Sequence, residues 1–124
     1  MLVAGSANLL NLFDLRPGRA LKVAGAGAAP LLLVADESAA AVVGVAVAAA
    51  PNDLAGRSML GDTGANALGA VLGLAWARRL SLTGRLLGAG AVAGLILASE
   101  RVSFTEVIAH NPVLNAIDHW GRPR

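Results

Sequence analysis

The chain has 124 residues, of which 56% are hydrophobic and only 15% charged, with a formal net charge of +2. A soluble domain ordinarily carries about 25% charged residues, so this chain has too few to cover itself with polar surface. Its ten Lys and Arg are scattered, which excludes the clustered basic face that nucleic acid requires, and the absence of cysteine excludes a disulfide framework or thiolate metal site.

The opening run Met1 to Phe13 is apolar and the first basic residue is Arg16, so the run lacks the positive start of a secretory signal and reads as a helix. Charged residues then delimit four further uncharged stretches, at 23–35, 38–52, 63–77 and 86–99. Each has about four helical turns. That is short of the roughly 20 residues of a membrane span, but Lys22, Arg79 and Arg85 near their ends have stems long enough to snorkel to headgroups. Ala and Gly dominate the stretches, and small side chains are what lets helices approach closely in lipid.

The sequence therefore predicts an all-α fold, a polytopic transmembrane bundle of about five hydrophobic helices over residues 1–99, in a cell membrane. Turn chemistry at Arg16-Pro17-Gly18, Asp36-Glu37, Pro51-Asn52-Asp53 and Ser81 to Gly84 makes successive helices antiparallel.

Residues 100–124 are more polar, with Phe104, Val107, Ile108, Val113, Leu114 and Ile117 spaced along them. An amphipathic surface helix is expected, started by the capping pair Ser103 and Glu106 and broken at Pro112, with Trp120 at the interface. Counting crossings brings the loops at 14–22 and 52–63 and this tail to one face. That face carries Arg16, Arg19, Lys22, Arg57, Arg101, Arg122 and Arg124, against Arg78, Arg79 and Arg85 opposite, so it is assigned to the cytoplasm.

The two loops hold the candidate chemistry. In the first, Asn8, Asn11 and Asp14 recur every three residues and share one face of a helix end. Alone, they fit helix-end hydrogen bonding and a turn. In the second, Gly61-Asp62-Thr63-Gly64 opens a helix, where Asp62 suits either an N-cap or a divalent cation beside a phosphate.

Together the loops resemble those of the polyprenyl-phosphate sugar-1-phosphate transferases, a membrane family of glycosyltransferase 4 type that includes phospho-N-acetylmuramoyl-pentapeptide transferase. Asn8, Asn11, Asp14, Gly18 and Ala20 match its Asn-x-x-Asn-x-x-Asp-Gly-x-Asp-Gly-x-Ala loop. Gly61, Asp62, Thr63, Gly64, Leu68 and Gly69 match its Met-Gly-Asp-x-Gly-Ser loop and the helix after it.

The resemblance implies transfer of a sugar-1-phosphate from a nucleotide sugar to a polyprenyl phosphate in cell-envelope glycan synthesis, with Mg2+. By it, Asp14 and Asp62 are catalytic, Asp62 is the metal ligand, and Asn8, Asn11, Gly64 and His110 bind substrate. Leu15 replaces the family's glycine after Asp14, and Pro17 replaces its second loop aspartate. The family's acidic Asp-Asp pair is absent, so the match corresponds to the C-terminal third of an enzyme whose other half a second chain, an oligomer or an upstream reading frame would supply. An inactive scaffold of the same family is the alternative, and a small membrane protein of unrelated role ranks below both.

Overall fold

The computed structural model describes residues 1–123; Arg124, counted above with the basic face, lies outside the described residues. Among the described residues there are seven helices and no strand: α1 (Leu2–Phe13), α2 (Arg19–Leu32), α3 (Glu37–Leu54), α4 (Gly61–Arg79), α5 (Leu82–Ser99), α6 (Phe104–His110) and α7 (Pro112–His119). The first five follow the uncharged stretches, and the polar residues lie at their ends. The first connection is shorter than expected, 14–18 instead of 14–22. Gly18 at φ +74° ends the turn and α2 begins at Arg19, drawing Lys22 into the helix.

Helix α4 is central, packing on α1, α2 and α3, while α2 pairs with α3 and α1 also touches α5. The α1–α4 contact is a backbone approach made possible by Gly69 and Gly73, one turn apart. A Cβ at Gly69 would lie 2.5 Å from the Ser6 carbonyl oxygen and 2.7 Å from the Ala7 Cα. The core is correspondingly fine-grained. Ala20, Ala24 and Ala28 of α2 face Ala39, Val42 and Ala46 of α3, closed off by Leu10, Leu21, Leu31 and Leu68. The indole of Trp76 ties α4 to α2 by donating to the Gly27 carbonyl at 2.9 Å.

The helices alternate in direction and leave charge at two ends. At one, Asp36 caps α3, accepting from the amides of Ser38 and Ala39 at 3.0 and 3.1 Å, and pairs with Arg79 at 3.1 Å. At the other lie Asp14, Gly18, Asp53 and the tail.

The tail does not float. Ser103 caps α6 through the Glu106 amide, and Pro112 starts α7 as a separate helix. Phe104 stacks on Phe13 with ring centroids 5.0 Å apart. Asp118, buried, receives Arg19 at 2.8 Å and Arg122 at 3.0 Å, and the Lys22 ammonium donates to its carbonyl at 2.7 Å. Trp120 is exposed.

Of the five hydrophobic helices, one, α5, is both long and apolar enough to cross a membrane. Helices α1 and α2 have 12 and 14 residues, about 18 and 21 Å against a hydrocarbon core of about 30 Å. Helices α3 and α4 have 18 and 19 residues but carry charged residues at their ends, which lower their apolarity.

The outer surface is nevertheless strongly apolar. Helix α5 buries none of its residues, and Leu33, Val47, Leu82, Leu86, Leu87 and Leu97 are all more than 60% exposed. The accessible surface is 7320 Å², about 1.2 times the roughly 6,100 Å² of a compact soluble monomer of this mass.

Candidate functional site

Gly18 builds one side of the site. Its left-handed φ and the Leu54 side chain pressed against the position of a Cβ both require glycine. Its amide, at the start of α2, donates to Oδ1 of Asp53, which is only 2% exposed. The hydrogen bond fastens the end of α3 to the first loop. Asp53, read from sequence only as part of a turn, is thereby a residue of this end of the bundle.

Asp14 stands at the end of α1 beside this junction, and its Oδ1 is buried with no hydrogen-bond partner among the described residues. Burial raises its pKa above the ordinary carboxylate value; the Gly61 amide opposes that, and the charges of Asp53 and Asp62 reinforce it. The two sequence-predicted acids, Asp14 and Asp62, are therefore brought within electrostatic reach of each other, with Asp53 as a third. Asp62 itself is exposed in the first turn of α4, next to Gly61 at φ +66°. The positive end of the α4 dipole favours a carboxylate there.

The other predicted residues divide. Asn11 lies one turn before Asp14 on α1 and is half-buried, while Asn8 is exposed. Gly64 sits one turn into α4, where a Cβ would meet Leu60 of the preceding turn at 3.3 Å. His110 stands apart. Its Nδ1 bonds to the Glu106 carbonyl of its own helix at 2.8 Å, and it lines a shallow groove with Val102 and Asn111. Among the described residues, no hydrogen bond or shared cavity joins it to Asp14 or Asp62.

Magnesium takes oxygen donors and is usually held through one or two carboxylates, with waters and substrate phosphates completing its shell. Asp14, with a buried oxygen that nothing satisfies and Asp62 acting on it, fits that donor chemistry. Among the described residues no three His, Cys, Asp or Glu side chains converge on one point, so a cation here would draw most of its ligands from outside the chain.

Pro17, where the resembled family carries its second loop aspartate, supplies only a carbonyl, and that oxygen accepts from Arg122 at 2.9 Å. The position serves to dock the tail. Comparison of the chain with family models, with curated proteins and with solved structures returned no match.

Proposed function

We propose that the chain is a multi-pass membrane protein, its two motif loops and tail on the cytoplasmic side, and a partial or divergent sugar-1-phosphate transferase. The membrane reading is supported by the bare apolar flanks of α5 and by charge confined to the two ends of the bundle. It can be tested with cysteines introduced into this cysteine-free chain. In intact cells an impermeant maleimide should label Glu37→Cys but not Ser58→Cys until the membrane is opened. Labelling of both from one side would overturn the topology.

The observation that carries the transferase reading is Asp14: a buried, unpartnered carboxylate oxygen beside Asp53 and Asp62 where two loops meet. Asp36, Asp53 and Asp118 are hydrogen-bonded or ion-paired, whereas the Oδ1 of Asp14 has no donor among the described residues. Phosphoryl transfer depends mainly on positioning and on neutralising negative charge. Asp14 and Asp62 would hold the magnesium ion, which when bound neutralises the pyrophosphate and polarises the bond that breaks. Asn11, one turn from Asp14, would orient the sugar nucleotide, and the Gly61–Gly64 backbone leaves room for a phosphate near the α4 N-terminus. The polyprenyl phosphate would approach from the bilayer beside the same end.

The test is exchange of radiolabelled nucleoside monophosphate into nucleotide sugar, in membranes holding this chain with a full-length relative of the family. Exchange that depends on the chain and is lost in Asp62→Ala supports the reading; no exchange with any common sugar nucleotide rejects it. The scaffold reading is favoured by Pro17, whose carbonyl is spent on the tail. It predicts that Asp14→Ala and Asp62→Ala leave the chain's cellular role intact.

A further inference from the structure

Three arginines gather where the tail meets the first loop. Arg16, Arg19 and Arg122 line a cavity of about 160 Å³ together with Thr105, Asn115 and His119. One carboxylate, Asp118, faces them. Its Oδ1 accepts from Arg19 and its Oδ2 from Arg19 and Arg122 at 3.1 and 3.0 Å, so both oxygens are already engaged. Three guanidinium charges against one carboxylate leave two positive charges around the cavity uncompensated. Arg16, which lines it, has no side-chain hydrogen bond or ion pair among the described residues. His119 holds its Nδ1 on the Asn115 carbonyl at 2.9 Å, which leaves Nε2 as the nitrogen able to meet a ligand.

We propose that this cavity binds a phosphate group. Guanidinium forks match phosphate oxygens in shape and charge, and Arg19 and Arg122 are already held rigid by Asp118, so little side-chain freedom is lost when an anion enters. The size sets the ligand class. A drug-sized ligand needs about 300 Å³ or more, so 160 Å³ accepts a phosphate headgroup or free phosphate and excludes a whole nucleotide sugar.

A neighbouring cavity of about 300 Å³ shares Arg19, Ile108 and Asp118 with this one and, apart from Lys22, is otherwise lined by apolar side chains, Phe13, Phe104, Leu114 and Ile117 among them. A phosphate bearing an acyl chain would find both halves of its chemistry satisfied. The site includes neither Asp14 nor Asp62, so it stands or falls independently of the transferase reading.

The test is calorimetric titration of the purified full-length chain in neutral detergent, at constant ionic strength balanced with chloride. The probes are inorganic phosphate, dihexanoyl phosphatidic acid and dihexanoyl phosphatidylcholine. Losing one charge-assisted contact in Arg16→Ala should weaken binding about tenfold, while Arg101→Ala, outside the cavity, should bind as the parent does. Binding of phosphate and phosphatidic acid alike identifies the phosphate group as the ligand. Binding of phosphatidic acid alone identifies a lipid headgroup, and of inorganic phosphate alone a free anion. The proposal is overturned if neither binds, if phosphatidylcholine binds as well, or if Arg16→Ala and Arg101→Ala behave alike.

Discussion

Asp118→Ala isolates what holds the tail against the bundle. Arg19 and Asp118 have side chains only 5% and 7% exposed, and the guanidinium reaches the carboxylate through two nitrogens while a third donates to Thr105 at 3.0 Å. Removing the carboxylate strands a buried charge, which costs about 3–5 kcal/mol, mostly the penalty of the unpaired partner and not the net worth of the pair. At 1.4 kcal/mol per tenfold, the lower figure raises the undocked population of the tail roughly 150-fold. Native-state hydrogen exchange reads this directly: amides of α6 and α7 should lose protection by about that factor, with α1 to α4 unchanged. The double variant Arg19→Met/Asp118→Leu removes both charges and should recover most of the protection. A loss below about fivefold in the single variant, or a double variant as open as the single, refutes the reasoning. Hydrogen bonding from Arg19 holds the Asp118 carboxyl below its ordinary pKa. The pair's contribution is therefore full above the unfolded value near ~3.9 and is lost only as pH falls through the lower, folded one. The latch is accordingly indifferent to pH around neutrality.

Asp14 has the opposite sign. Its folded pKa is raised, so stability present below the unfolded value of ~3.9 is lost as pH rises through the folded one. Thermal melts of Asp14→Asn should match the parent at the acid end and exceed it above that window; identical curves at every pH would remove the electrostatic account of the site. At the α1–α4 contact, Gly69→Ala must push the α1 backbone at Ser6 and Ala7 away from α4 and should cost about 1–3 kcal/mol. Gly90→Ala, whose Cβ meets nothing within 4 Å, should instead be neutral or stabilising by up to about 1 kcal/mol; melting midpoints in detergent distinguish them. Asp36→Ala removes an N-cap and an ion-pair partner of Arg79 and should lower the melting midpoint. Because Asp36 has a lowered pKa, owing chiefly to the Ala39 amide, that difference from the parent should vanish in melts taken at pH low enough to protonate it.

Helix positions were legible because charge is sparse. Eighteen Lys, Arg, Asp and Glu in 124 residues mark the ends of five apolar segments, and the tail's capping serine and helix-breaking proline act locally, within three residues of what they control. Bringing Asp14 and Asp62 to one end was legible by counting antiparallel turns. What the sequence did not disclose is the pairing of distant polar groups. Arg19 meets Asp118 across 99 positions and Gly18 meets Asp53 across 35. With ten cations and eight anions to combine, residue type alone selects no partner. Asp53 resembled any turn acid, although its approach to the Gly18 amide follows once that glycine takes a left-handed φ with its N–H turned from its own helix. His110, the histidine named from sequence, lies on a surface helix, whereas His119 lines the arginine cavity.

The carboxylates at the Asp53 and Asp118 end of the bundle can be sorted by what surrounds them. Asp53 accepts a hydrogen bond from a backbone amide, and Asp118 is paired with two guanidinium groups that favour its ionised form. Asp14 is the exception, since it is partly desolvated, has an oxygen with no donor and lies near two like charges, so ionising it works against the fold. A half-buried acid whose surroundings disfavour its charge is a candidate for function, because a ligand that supplies positive charge would offset the repulsion from Asp53 and Asp62. The same accounting puts the excess of cations a few residues away, around Arg16 and Arg122, where an anion would be relieved in turn. One end of this small bundle thus places a carboxylate oxygen without a donor near an excess of arginine over carboxylate.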